Sequence, residues 1–387
     1  MRLKRMSIAL CMLVAAVLFS GCGDQGWVRV SPDGQYVTIV RKPPDAPDGS
    51  IDTELALYHI DRREITPIVR FSLDSNSPYN SWVRNCQWTP DSRAVCFAWL
   101  ESPDAKVTSS ENSEQPAADA VQTSESKSGL MLYEIASGRL VRLPIAVEAP
   151  RWSTDGNYLI GLGEEDTLHI YRTDSWVCAQ RLPIPKDYYD DAVIWDWAHW
   201  LQSDPLRVVI HLGTEGYLDP ESLWGPKVRR GDLYLLRGAQ LIPLTTTGDV
   251  QAFWVDRSGV VMRWARVEHE KFLAVFERPL QGGAPRRLVL IPNETLEANA
   301  EAEDTYYRFS PDGQRLAWYT DEGFYVLDIA TGAVHTLNAY APKTVKQGTL
   351  FEMGLASPIG FDWRDAETLV LQRGGLLELH TVGRLLQ

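Results

Sequence analysis

What the sequence lacks narrows its class first. Positive charge is short, with 38 Lys and Arg against 51 Asp and Glu and a formal net charge of -13. Binding to nucleic acid or to an anionic membrane surface draws on clustered Lys and Arg, so neither is expected. Histidine is scarce as well, with seven residues scattered singly. The pair Asp196 and His199 in "IWDWAHW" has no third ligand beside it, so no metal site is expected. Walker-type and dinucleotide fingerprints are missing, and with them the expectation of a cofactor. No Gly-x-Ser-x-Gly elbow occurs; "GLASPIG" at 354–360 has the wrong spacing for a strained nucleophile turn. After residue 22 no long segment shows helical periodicity. What remains is rich in aromatics, 14 Trp, 15 Tyr and 10 Phe, which is ample material for a large globular core.

The first 21 residues read as an export signal rather than as part of the fold. Arg2, Lys4 and Arg5 form a positive start and Met6 to Phe19 an uncharged apolar run. That run, about 14 residues, is too short for a stable transmembrane helix, which needs about 20. The ending "LFSGC" resembles a bacterial lipobox, with Phe19 where Leu is usual. The resemblance implies lipidation of Cys22, a short tether over 22–26, and anchoring through more than one acyl chain. Gly23, rather than Asp, after the cysteine points to the outer membrane of a host that has one.

The body of the chain repeats itself. "VSPDGQYVTIV" (30–40) returns as "WTPDSRAVCFAW" (88–99), "WSTDGNYLIGL" (152–162) and "FSPDGQRLAWY" (309–319), with weaker echoes at 200–212, 254–264 and 363–373. The markers Asp33, Asp91, Asp155, Asp204, Asp256, Asp312 and Asp365 recur at a period of about 50 residues, the signature of a repeat architecture. In each copy an apolar or aromatic residue ends a strand, Ser-Pro-Asp-Gly makes a tight turn, and an alternating run begins the next strand. Pro presets φ, Asp bonds nearby backbone and Gly takes the left-handed conformation. A second hairpin, such as "LMLYEIASGRLVRL" (130–143) or "FYVLDIATGAVHTL" (324–337), follows in every copy. Two hairpins make four strands, so the expected fold is all-β: a propeller of about seven four-stranded antiparallel blades over 27–387. The repeat resembles the WD-repeat-like propellers of bacteria whose blades carry this turn, the group that includes the TolB-type propeller. In that group the turn is a structural element, and the resemblance implies an interaction module of the cell envelope.

If the repeated turn is scaffold, function is expected where the copies differ. The variable connections run between the second and third strands of a blade and between blades, and in an up-and-down blade both emerge on one face. Residues 102–128 read as a flexible acidic loop. The segment 213–230, "GTEGYLDPESLWGPKVRR", offers Tyr217, Leu223 and Trp224 next to Arg229 and Arg230, the residue types that carry interface energy; the competing reading is simple packing over the disc. Tyr188 and Tyr189 are candidates of the same kind. Cys86 and Cys96 lie five residues either side of Asp91, so they would face each other across one hairpin, either as a disulfide or as two small reduced core residues. The expected role is a lipid-anchored, non-enzymatic binder of an envelope protein or peptide. The alternative is a carbohydrate-binding or carboxylate-based enzyme at the axial mouth, drawing on Glu148, Asp190, Asp191 and Asp304.

Overall fold

The computed structural model describes residues 28–46, 52–71, 81–101, 129–163, 167–184, 189–190, 197–201, 206–217, 227–268, 272–292, 307–320, 323–339, 358–373 and 376–382. The export signal, Cys22 and the loop 102–128 lie outside these residues. The described strands, β1 to β28, form seven sheets in chain order, antiparallel but for one short parallel pairing. No helix among them is long and apolar enough to cross a membrane.

Blade 1 shows the plan: β1 (Arg29–Val30), β2 (Tyr36–Arg41), β3 (Thr53–His59) and β4 (Glu64–Phe71) pair in simple up-and-down order. First strands of neighbouring blades touch one another, as β1 does β5 (Ser81–Trp88) and β26 (Pro358–Trp363), so they line the axis. Blades 2, 3, 5 and 6 repeat the order without change. Blade 7 has three described strands, β26, β27 (Thr368–Arg373) and β28 (Leu376–Thr381); the expected fourth falls on 383–387, outside the described residues.

Buried apolar residues gather between blades rather than inside one. Val40, Leu55 and Phe71 of blade 1 pack with Val83, Trp88 and Phe97 of blade 2. Phe324 of blade 6 meets Phe361 of blade 7 edge-on, with centroids 4.9 Å apart. The ring closes between blades 7 and 1: Val28, Val37 and Ile39 pack on Val370 of blade 7, and Asp362 Oδ2 accepts a bond from Val30 N at 2.9 Å. A blade therefore buries both faces only when it has two neighbours, which is why the motif must be written repeatedly.

The repeated turn is a closed hydrogen-bond unit. Ser31 Oγ donates to Asp33 Oδ1 at 2.6 Å and accepts from Tyr36 N at 2.9 Å, while Asp33 Oδ1 also accepts from Gln35 N at 3.1 Å. Ser153 with Asp155, and Ser310 with Asp312, make the same three bonds. Thr89 with Asp91 does so with Thr in place of Ser. Glycine closes three of these turns at positive φ (Gly34, Gly156, Gly313), and Ser92 takes that place at φ 61° in blade 2.

The degenerate copies differ from their sequence alignment. Asp256 N bonds Val261 O as Ser31 N bonds Tyr36 O, so Asp256 stands in the serine's place and not in that of Asp33. Its carboxylate accepts directly from Val260 N and Val261 N. Leu201 and Arg364 occupy the same place in blades 4 and 7, and Asp204 lies outside the described residues.

Candidate functional site

The antiparallel order puts the short first and third turns of every blade on one face of the disc and the other two kinds of connection on the opposite face. On the short-turn face neighbouring blades are tied together: Asp33 N to Ser92 Oγ at 3.0 Å, Trp254 Nε1 to Pro311 O at 3.0 Å, and Arg263 to the Gly313 carbonyl at 2.6 Å.

On the long-connection face, blade 4 departs from the plan. Its β15 (Arg207–Tyr217) and β16 (Lys227–Arg237) are eleven residues each, where the second and third strands of blade 1 have six and seven. The expected loop 213–230 is thus partly a ribbon: the ladder continues through Gly213↔Gly231, Thr214↔Arg230, Glu215↔Arg229 and Gly216↔Val228 to Tyr217↔Lys227. The base is pinned by buried Asp232, whose Oδ1 accepts from Thr245 Oγ1 at 2.7 Å, Thr247 N at 2.9 Å and Gly248 N at 3.1 Å. A two-residue strand β13 (Tyr189–Asp190) then adds in parallel, Tyr189 to Gly213 and Asp190 to Thr214. Tyr189, from the candidate pair at 188–189, and the start of the candidate segment at Gly213 and Thr214 are therefore neighbours in one sheet. Tyr188, Leu223 and Trp224 lie outside the described residues. The outer edge of β16 from Lys227 to Arg230 pairs with no other described strand, since β17 (Gln240–Pro243) runs from opposite Arg237 and ends opposite Tyr234. Ion pairs stiffen the same face: Glu54, buried, takes Arg41 at 2.7 Å, and Arg70 clamps Asp45 at 2.6 Å. The Arg70 bond holds the Asp45 carboxyl below its ordinary range.

The cysteines are placed differently from the bridge expectation. A register shift between Arg84 and Gln87, with Asn85 at φ 58°, sets Cys96 opposite Gln87 instead of Cys86. Cys86 enters the core shared with blade 1 and Cys96 the core shared with blade 3, so the two thiols serve opposite faces of one sheet. Both are buried and neither is in a disulfide, and burial, with Cys86 nearby, pushes the Cys96 thiol up.

A cavity of about 500 Å³ opens at the axis on the short-turn face, lined by the turns of blades 1, 2, 3 and 5 and the first strand of blade 4. Its walls include Trp88, Trp152, Trp200 and Phe253; its polar groups include Arg151, Arg257, His199 and Gln87. No carboxylate lines it among the described residues. Of the acids named for an axial site, Glu148 is exposed at the other end of its strand, and the side chains of Asp190, Asp191 and Asp304 are not among the described ones. Among the described residues no three His, Cys, Asp or Glu come together to hold a metal.

The cavity lies where a repeated contact is broken. At the end of the first strand, Trp88 Nε1 donates to Arg29 O at 3.0 Å, Trp200 Nε1 to Arg151 O at 3.2 Å and Trp363 Nε1 to Arg308 O at 3.1 Å, each binding a blade to the one before it. Trp152 is the equivalent residue of blade 3, yet its buried Nε1 has no hydrogen-bond partner among the described residues. It packs edge-on against Trp176 instead, with centroids 5.9 Å apart. An unmet buried donor costs about 1–3 kcal/mol. A second cavity, about 410 Å³, continues from the first over Trp152, between the turns at Asp91 and Asp155. Those two acids are engaged by their own turns. Burial acts to raise Asp155, but bonds from Ser153 and Asn157 outweigh it and hold the carboxyl below its ordinary range; Asp91 is lowered in the same way by Thr89 and Arg93. The indole staple was missed in sequence because its acceptor is a backbone carbonyl in another blade, which no side-chain pattern marks.

An all-β ring of seven blades with one cationic, aromatic axial mouth and one elaborated face defines the class as a β-propeller. No known protein family and no curated protein matches the chain. Solved propellers do. An oligogalacturonate lyase in complex with manganese is 10% identical, covering 91% of this chain and 87% of that one, with a TM-score of 0.54. The Cps50 (Swd1) propeller domain of Myceliophteria thermophila is 11% identical over 93% of this chain and 97% of that one, with a TM-score of 0.52. TolB from Acinetobacter baumannii is 13% identical at a TM-score of 0.46 over 78% of this chain, which spans 62% of the TolB chain. At such identities the likeness extends to the fold alone.

Proposed function

We propose that the protein is a non-enzymatic binding module of the cell envelope, anchored through lipid on Cys22 and presenting the blade 4 ribbon to a protein or peptide partner. The observation that carries this reading is the ribbon itself. It extends the blade well past the plan of its neighbours, rests on a pinned base, gathers Tyr189 beside it, and leaves the Lys227 to Arg230 backbone edge without a described sheet neighbour. Unpaired N–H and C=O groups on such an edge can accept a partner strand, with Arg229 and Arg230 biasing the choice toward acidic segments. The lipobox resemblance and Gly23 favour the periplasmic side of an outer membrane.

Crosslinking capture from native envelopes tests the reading, comparing the wild type with a variant in which residues 218–226 are replaced by a two-residue turn and with Arg229→Glu/Arg230→Glu. A specific protein captured by the wild type and lost from both variants supports it. Equal capture by all three removes the ribbon from the account. Retention of Cys22→Ser in the membrane fraction would remove the lipid anchor.

A further inference from the structure

We propose that the long-connection face is turned to the lipid bilayer, with the end of the blade 4 ribbon at headgroup level, so that the ribbon's partner is a protein embedded in that same membrane. The inference rests on the lipid-anchor reading of Cys22 and adds to it the direction in which the disc faces. That direction follows from where the chain enters the ring. The first turn of blade 1, at Ser31, lies on the short-turn face, so β1 runs toward that face and Val28, just before it, opens on the opposite side. Since β1 touches β5 and β26, the entry point is beside the axis and not at the rim.

Lengths then decide between the two faces. Cys22 precedes Val28 by six residues, which span at most about 21 Å when fully extended. Val28 packs with Ile39, two residues inside the end of β2 at Arg41, so about 7 Å of that reach lies within the ring. About 14 Å remains beyond the long-connection face. To bring the short-turn face to the bilayer, the same residues would have to cross from axis to rim, three strand spacings or about 14 Å, and then pass the height of a six-residue strand, about 20 Å. That path is well beyond the tether's reach.

The ribbon closes the gap on the long-connection side. Leu201 N bonds Arg207 O as Ser31 N bonds Tyr36 O, so Leu212 stands level with Arg41, where β2 ends. Opposite Leu212, the pinned Asp232 holds the ribbon where it leaves the disc. From there the ladder continues for five rungs, Gly213↔Gly231 to Tyr217↔Lys227, about 17 Å at the rise of an antiparallel strand. With the disc level, the ribbon is longer than the roughly 14 Å of stand-off that the tether permits, so its end meets the bilayer surface. Acyl chains supply the attraction, since a chain of net charge -13 is not drawn to anionic headgroups. A segment that reaches the Lys227 to Arg230 edge must therefore be presented at the membrane surface.

Nitroxide quenching in vesicles tests the orientation. The lipidated full chain, in a Cys178→Ser background, carries one fluorophore at Lys227→Cys on the ribbon end, at Thr246→Cys, exposed on the connection between blades 4 and 5, or at Gln314→Cys, exposed on the first turn of blade 6. Cys86 and Cys96 are buried and do not label. The vesicles are phosphatidylethanolamine and phosphatidylglycerol with the nitroxide on the headgroup. The Lys227→Cys label is expected to be quenched about threefold or more over the Gln314→Cys label, because contact quenching fades within the disc height of about 20 Å. The Thr246→Cys label, which leaves the ribbon untouched, is expected between the two. Equal quenching of all three, or strongest quenching at Gln314→Cys, would overturn the orientation, while flotation of the protein with the vesicles would still uphold the anchor. Failure to float would remove the anchor and the orientation together. A partner captured by the ribbon that fractionates as a soluble protein would overturn the assignment to a membrane-embedded one.

Discussion

On one face of the disc, the turns at Ser31, Thr89, Ser153 and Ser310 repeat the same three bonds, with hydroxyl to carboxylate distances of 2.6, 2.7, 2.6 and 2.6 Å. On the other face, the stretches between strands share neither length nor composition, and one blade grows into a ribbon of two eleven-residue strands. The difference shows which parts of the sequence are constrained by the ring. A turn that must dock on the next blade is held to one solution, because its polar groups are consumed locally and, at Gly34 and Gly313, its glycine faces a neighbouring blade. A connection pointing away from the ring has no such neighbour and is free to acquire a partner. The cavity at the axis is the exception that the first face allows, at the junction where one indole fails to reach the blade before it.

The contrast can be broken most forcefully at the glycines. A Cβ on Gly313 would sit 2.5 Å from the Trp254 ring of the adjoining blade, at φ 68°, whereas a Cβ on Gly156 meets nothing within 4 Å at φ 75°. Gly313→Ala is expected to cost roughly 3 kcal/mol, strain and overpacking together, and Gly156→Ala roughly 1 kcal/mol from strain alone. Denaturant midpoints of the two variants check the order; equal losses would mean that the turns do not depend on their neighbours.

Next in size comes the indole staple. Trp363→Phe removes the bond to Arg308 O between blades 7 and 6 and should destabilise by about 1–3 kcal/mol, while Trp152→Phe, which has no such bond to lose, should cost less than half as much. Thermal unfolding of the pair decides it. A larger loss from Trp152→Phe would show that Trp152 holds its junction after all.

Acid unfolding gives a smaller effect with a definite sign. The folded carboxyls of Asp91 and Asp155 titrate below the ordinary value of about 3.9, so their stabilisation is complete above that pH and drains as pH falls through the lower, folded value. Asp155→Asn should flatten the acid limb of the stability profile below about pH 4 relative to wild type. An unchanged limb would mean that the turn bonds add nothing to the folded state. Smallest of all is the expected response to reductant, which is none: Cys86 and Cys96 enter cores on opposite faces of their sheet, and a fall in the unfolding midpoint on reduction would reveal a bridge.

Much of the scaffold was legible because its determinants are local. Ser, Asp and Gly sit within a few residues of the groups they bond, and the alternation that follows is the pattern of a buried strand. The blade count followed from the period. The markers slipped in blades 5 and 7 because Asp256 and Arg364 take the serine's place, a substitution that preserves a turn without preserving its spelling. The ribbon was read as a loop since Gly213, Gly216 and the segment after Tyr217 carry no alternation to signal pairing. The opposed faces of Cys86 and Cys96 depend on a bulge at Asn85, a residue whose type permits positive φ without announcing it. The axial cavity was not legible at all, since Arg151, His199 and Arg257 come from three blades and only ring closure brings them together.

The most direct test of the account is one capture experiment on the native envelope with both faces varied in parallel, Arg229→Glu/Arg230→Glu on the ribbon and Arg257→Glu on the short-turn face. The account predicts that the ribbon variant loses the captured protein and the Arg257 variant keeps it. Loss from the Arg257 variant with full capture by the ribbon variant would contradict it and move partner binding to the opposite face.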